Sequence, residues 1–190
     1  PTIGFFLGLL LMTICSIVFF KSSKSKVESW ARKIQLLSSA CYSLGHGGND
    51  AQKTAGIIAV LLYSSGQLQG EFHVPFWVVF SCYFAMGFGT LFGGWRIVKT
   101  MGLKITKLKP IGGCCAELSG AAMLFVTTGL GIPVSTTHTI TGSIMGVGSV
   151  NGFSAVRWGV AERIVWAWIL TIPFSALFSA LIWWIIQFFN

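Results

Sequence analysis

The sequence predicts an all-α integral membrane fold of about six transmembrane segments, one of them a helix broken at an Asn-Asp pair. Three observations carry that reading. Only 9% of the 190 residues are charged and 54% are hydrophobic, giving a mean hydropathy of +0.76; a soluble domain of this size carries about a quarter charged residues. Apolar stretches recur at about the twenty-residue length that a helix needs to cross roughly 30 Å of hydrocarbon. The cations that produce the net charge of +8 are clustered. Of the 13 Lys and Arg, ten fall in two blocks beside apolar segments: Lys21, Lys24, Lys26, Arg32 and Lys33, then Arg96, Lys99, Lys104, Lys107 and Lys109. Cytoplasmic connections of membrane proteins carry such blocks. A nucleic-acid face would instead set its cations on a water-exposed surface with aromatic partners, so nucleic acid is not the expected partner.

Taken in order, Thr2 to Phe20 is a continuous apolar run ended by the first basic block. Ile34 to Tyr63 is apolar but interrupted from Gly45 to Lys53, and a polar connection follows from Ser64 to Val74. Pro75 to Trp95 is uncharged and rich in Phe, Trp and Gly, and the second basic block follows it. Ile111 to Thr128 is apolar around one acid, Glu117. The Gly129-Leu130-Gly131-Ile132-Pro133 segment breaks it before Val134 to Val150, and Ile164 to Phe189 is the last long span. Residues 1–190 thus read as one transmembrane domain. With no separate signal peptide ahead of the first run, the chain is expected to be a piece of something longer.

Parity constrains the topology. If both basic blocks face one side, an even number of crossings separates them. Pro75 to Trp95 supplies one, so Ile34 to Tyr63 must supply the other, as a broken helix and not as a re-entrant hairpin. The five cysteines show no metal-ligand spacing and read as small buried apolar residues; no metal or other resident cofactor is expected. Most tryptophans lie near expected span ends, as interface anchors do.

A few residues do not belong in lipid. An ionised carboxylate costs roughly 2.5–3.5 kcal/mol at the centre of an inserted helix, so Asp50 needs a cavity, a partner or an ion. Gly45, Gly47 and Gly48 are expected to unwind the chain before it, freeing carbonyls and amides to hold ions, with the next helix starting near Asn49 or Asp50. Alternatively, Asp50 caps that helix and pairs with Lys53. His46 fits either a ligand or a helix-end hydrogen bond. Pro133-Val134-Ser135-Thr136-Thr137-His138-Thr139 is the second constellation. A proline-led helix start with three hydroxyls suits a tetrahedral oxyanion; hydroxyls bonding back to helix carbonyls are the plainer account. Glu117 reads equally as a coupling-cation ligand or as a protonated structural acid.

The run from Gly45 to Ile58, Gly-His-Gly-Gly-Asn-Asp-Ala-Gln-Lys-Thr-Ala-Gly-Ile-Ile, closely resembles the Asn-Asp motif of the PiT family of phosphate transporters. Pro133 to Thr139 resembles that family's hydroxyl-rich motif, and the resemblance extends from about Lys26 to the end. It implies an inverted-repeat transporter of which this chain is one half, the C-terminal repeat. It also implies that Asn49 and Asp50 serve cation and substrate binding, with Gln52, Thr54, Ser135, Thr136 and Thr137 near the anion. The expected function is symport of inorganic phosphate with H+ or Na+ by alternating access, in a multi-pass protein of the plasma membrane. Its partners would be the bilayer, the remaining half of the transporter and, in a homodimer, a second copy. A sulfate permease is the near alternative, since sulfate is also a tetrahedral dianion. A membrane enzyme using Asp50 and His138 as acid and base is the distant one, because no nucleophile–base or metal set is visible.

Overall fold

The computed structural model describes residues 1–189, and their side chains other than those of Arg96 and Phe189. Among the described residues it is helical throughout, without strands. The chain divides into two compact units, residues 1–156 and the segment from Arg157 onward. The first holds α1 (Thr2–Val18), α2 (Lys24–Ser64), α3 (Phe76–Lys99), α4 (Pro110–Gly129) and α5 (Thr136–Ser149). A π-helical turn, Thr100–Lys104, prolongs α3. The second unit is α6 (Trp158–Phe189), which runs through Pro173 without ending.

The expected break at the Asn-Asp pair is not there. α2 is one helix of 41 residues, about 60 Å long at 1.5 Å per residue. The glycines with positive φ are Gly66, Gly70, Gly131 and Gly152, so Gly45, Gly47 and Gly48 keep helical backbone. Each costs a helix interior up to about 1 kcal/mol relative to Ala. Packing offsets that at Gly45, where an added Cβ would lie 3.1 Å from Leu124 Cβ. Smallness, not flexibility, is what the helix uses there. Asn49 and Asp50 are therefore mid-helix residues, not N-caps. The break expected after Thr128 does occur: α4 ends at Gly129, Gly131 takes φ +68°, and α5 starts at Thr136 behind the cap Ser135. Pro133 lies in that turn and not at the helix start.

α4 lies parallel to the first half of α2. Ser38 meets Glu117 and Asn49 meets Thr128, both at a sequence offset of 79, and a constant offset is the mark of two helices running side by side in one direction. α5 then returns: its start lies beside Tyr42 and Asp50, and its end brings Gly148 against Thr106. α1 runs parallel to α5 with almost nothing between them. A Cβ on Gly142 would sit 2.1 Å from the Pro1 carbonyl oxygen, one on Gly146 2.0 Å from that of Phe5, and one on Gly8 2.4 Å from that of Ser143. Small residues let membrane helices approach to backbone contact in this way, so the core of the unit is built largely from Gly, Ala, Ser and Thr.

The basic blocks meet at one end of this bundle, the premise from which the parity argument began. Lys109 Nζ lies 3.8 Å from Glu28 Oε1. The first block is mostly helical, however: Lys24, Lys26, Arg32 and Lys33 ride on the first turns of α2 and not in a connection. Among the described residues three helices are long and apolar enough to cross a bilayer, over Phe76–Trp95, Pro110–Gly129 and Trp158–Phe188, and Thr2–Val18 is a shorter apolar helix. Large apolar side chains point outward along α3 and α6, among them Phe80, Phe84, Leu170 and Phe178. An apolar exterior of this kind is what lipid requires. The chain is a membrane protein.

Candidate functional site

Polar side chains line one face of α2 at helical spacing: Ser38, Tyr42, His46, Asp50 and Lys53. Residues four apart on a helix are neighbours, so one unbroken α2 gathers them into a stripe facing α4 and α5. Asp50 is the hub. Its Oδ1 accepts from Lys53 Nζ at 3.0 Å; its Oδ2 accepts from Thr136 Oγ1 at 2.8 Å and lies 3.1 Å from His46 Nε2. Lys53 Nζ also donates to the Val134 carbonyl in the turn before α5. The carboxylate is thus held by its own helix on two sides and by the start of α5 on the third. Its side chain is 27% exposed, half-open and not sealed.

Asn49 sits beside it, 5% exposed. Its Nδ2 lies 3.4 Å from Thr128 Oγ1, near the end of α4, while its buried Oδ1 has no hydrogen-bond partner among the described residues. A buried, unpartnered amide oxygen costs about 1–3 kcal/mol and is a hard donor of the kind that alkali cations accept. The start of α5 supplies the opposite chemistry. Ser135 caps the helix, its Oγ accepting from the His138 N–H at 3.4 Å. Thr136 is buried, Ser135 and Thr137 are exposed, and the free amides of a helix start favour negative charge.

Of the expected site residues, the structure therefore brings together Asn49, Asp50 and Thr136, with Ser135 and Thr137 on either side of Thr136. Gln52 does not join them. Two residues on from Asp50 is about 200° around a helix, and Gln52 is exposed on the far side. Thr54 lies one turn beyond Asp50 and is exposed. Glu117 belongs to another layer, accepting from Ser38 Oγ at 2.5 Å; Ser38 is 12 residues from Asp50 along α2, about 18 Å. The hydroxyl back-bonding weighed for this segment is present too, from Thr139 to Ser135 and from Thr141 to Thr137, but Thr136 spends its hydroxyl on Asp50. His138 lies in the first turn of α5, and the pairing of Asp50 is with Lys53, Thr136 and His46. Two contributors were not anticipated. Tyr42 stacks on His46 at 6.1 Å and donates to the Thr136 carbonyl at 3.3 Å, and Thr128 partners Asn49. The four-residue polar spacing from Ser38 to Asp50 was the signal for Tyr42.

A helical membrane protein with a half-buried carboxylate, an orphaned amide oxygen and a hydroxyl-bearing helix start between its helices has the makings of an ion-handling transporter. The profile of the Phosphate transporter family matches residues 2–179, and the chain belongs to that family. It is 62% identical over 181 residues to a probable low-affinity inorganic phosphate transporter of Rhizobium meliloti (strain 1021), covering 95% of this chain and 54% of that protein. A protein of the same description from Bacillus subtilis (strain 168) is 42% identical, with 98% and 56% covered. Among solved structures, one titled "The sodium-dependent phosphate transporter" superposes with a TM-score of 0.77 at 30% identity, covering 93% of this chain and 46% of that one. The chain spans about half the length of the relatives it matches. These relatives are named as transporters, not enzymes, and as carriers of phosphate; nothing in them supports the sulfate alternative.

Proposed function

We propose that this chain forms one half of a phosphate symporter and contributes a cation-and-phosphate site where the middle of α2 meets the turn into α5. The observation that carries the reading is the Asp50–Thr136 bond beside the unpartnered Asn49 oxygen, in a chain whose relatives are named for phosphate. Sodium is the favoured coupling ion, because the structural relative is titled sodium-dependent. A cation settling between Asn49 Oδ1 and Asp50 would compete with Lys53 for the carboxylate. Lys53 already reaches the Val134 carbonyl, so once released it stays at the turn where Ser135, Thr136 and Thr137 offer donors to the anion. The cation thereby adds positive charge to the anion's surroundings, and each ligand improves the binding of the other by the same factor.

In this reading all six helices lie in the plasma membrane of the cell, the basic end faces the cytoplasm, and an inverted second half completes the site for alternating access. α5 is the weak member of that count: its 14 residues reach about 21 Å, short of a full hydrocarbon core. A homodimer is compatible with the exposed apolar faces. The test is uptake of labelled phosphate by the full-length protein in liposomes, with sodium and proton gradients imposed separately. Uptake driven by sodium and abolished by Asp50→Asn supports the site; uptake by Asp50→Asn with its cation dependence intact refutes it.

A further inference from the structure

The end of the bundle opposite the Asp50 cluster carries two adjoining hollows that the transport site does not use. The larger, about 490 Å³, is walled by apolar side chains of α1, α4 and α5, including Met12, Ile111 and Val147, and rimmed by Lys24, Lys107 and Lys109 with Glu28. The smaller, about 290 Å³, runs along Phe19, Trp30 and Ile34 with Lys26 at its edge. Phe19, Ser22, Val27 and Ile111 line both, so the two form one groove. Its rim has four lysines against one glutamate, and that glutamate meets Lys109 only loosely, at 3.8 Å with Lys109 69% exposed.

The groove joins two chemistries that seldom occur together. A free inorganic anion would gain from the lysines but nothing from walls of Met, Phe, Trp and Ile. A neutral apolar molecule would leave the lysines unanswered. The place matters too: the groove lies where apolar α1 ends and the basic residues begin, the level at which lipid headgroups sit. Basic pockets between helices at such a level accept lipid phosphates. The larger hollow, about 490 Å³, is of a size to hold a headgroup and its glycerol, leaving the acyl chains to the smaller hollow and the bilayer.

We propose that this groove seats one anionic diacyl phospholipid. Its phosphate lies among Lys24, Lys107 and Lys109, and one acyl chain runs along Phe19, Trp30 and Ile34. The lipid would tie the α1–α2 connection to the segment before α4, a binding role separate from transport.

The test is native mass spectrometry of the full-length protein released from micelles containing equal dioleoyl phosphatidylglycerol and dioleoyl phosphatidylcholine. Retention of the phosphatidylglycerol is expected to be favoured about tenfold, as a few lysines at a membrane surface allow. The combined Lys24→Gln, Lys107→Gln, Lys109→Gln variant should lose the preference, and the corresponding Arg variant should keep it. A phosphatidylglycerol with a diazirine in its acyl chain reads the wild-type protein directly and should label peptides spanning residues 19–34 or 106–112. Equal retention of both lipids, a preference that survives the Gln variant, or label confined to other segments would overturn the proposal. Displacement of the lipid by millimolar inorganic phosphate would also overturn it, and would make the groove a soluble-anion site.

Discussion

Thr136→Val is the substitution that most directly tests the site. It replaces the hydroxyl that donates to Asp50 Oδ2 at 2.8 Å with a methyl group of nearly the same size, leaving the Lys53 and His46 contacts in place. A hydrogen bond to a charged acceptor contributes about 1.5–3 kcal/mol net. Asp50 is 27% exposed and water can stand in for part of the lost donor, so the lower end, about 1.5 kcal/mol, is the relevant one. That is roughly a tenfold change in an equilibrium constant. If the bond holds Asp50 in its cation-binding posture, the sodium concentration for half-maximal phosphate uptake rises about tenfold in Thr136→Val, while Thr136→Ser, which keeps the donor, stays close to the parent. The assay is sodium-dependent uptake by the full-length protein in liposomes, with protein incorporation measured in parallel. Unchanged sodium dependence in Thr136→Val would refute the reasoning. So would an equal loss in both variants, which would assign the effect to packing of the methyl group.

Three further outcomes follow from other parts of the molecule. Gly146→Ala should destabilise the full-length protein by at least 1–3 kcal/mol, the usual cost of overpacking, because its Cβ meets backbone at 2.0 Å. Gly56→Ala, with nothing within 4 Å, should be neutral or stabilising; equal melting temperatures for the two in detergent would count against the α1–α5 contact. Cys15 and Cys115 have their sulfurs 3.6 Å apart, so a thiol-oxidising reagent should join α1 to α4, detected as a linked peptide pair after proteolysis; its absence would mean that the register of those helices is wrong. Ser38→Ala removes the donor to Glu117 and should cost about 1–3 kcal/mol, read as a lowered thermal midpoint; an unchanged midpoint would show that the contact contributes nothing to stability.

The membrane class and the approximate positions of the helices were legible because they rest on composition and on length of apolar run, properties that neighbours hardly alter. The break around Gly131 was legible for a similar reason, since a glycine pair and a proline close together stop a helix in almost any surroundings. The glycines before Asn49 look alike in sequence but mean something else. Whether a glycine bends a helix or admits a neighbour depends on what lies opposite, and Leu124 opposite Gly45 is 79 residues away. That one misreading had consequences for the site. With α2 taken as broken, the stripe from Ser38 through Tyr42 and His46 to Asp50 had no reason to be read as one surface. Gln52 was placed near the anion by the family resemblance alone and lies on the far side of the unbroken helix. Asn49, Asp50 and Thr136 could be picked out without the backbone between them, because a carboxylate and an amide in lipid and a hydroxyl at a helix start require partners wherever they lie. The structure sets Asp50 and Thr136 in contact with Asn49 beside them.

The contact of α1 with α5 also bears on how the molecule can move. Two helices separated by side chains can slide by letting rotamers change; two whose backbones touch through Gly8, Gly142 and Gly146 have no such lubricant. They turn as a single rod. Any motion of this pair against the rest of the unit must therefore bend the chain elsewhere, and two non-helical stretches can take it up. One is the turn from Leu130 to Ser135, which hinges α5 on α4 and carries the carbonyl that Lys53 grips; the other is the stretch from Ile105 to Lys109 at the far end of the same pair. Lys53 ties the nearer stretch to α2 through the Val134 carbonyl and to Asp50 through its carboxylate. On the proposed function, a cation that takes Asp50 frees one end of the tie while the lysine keeps its hold on the turn.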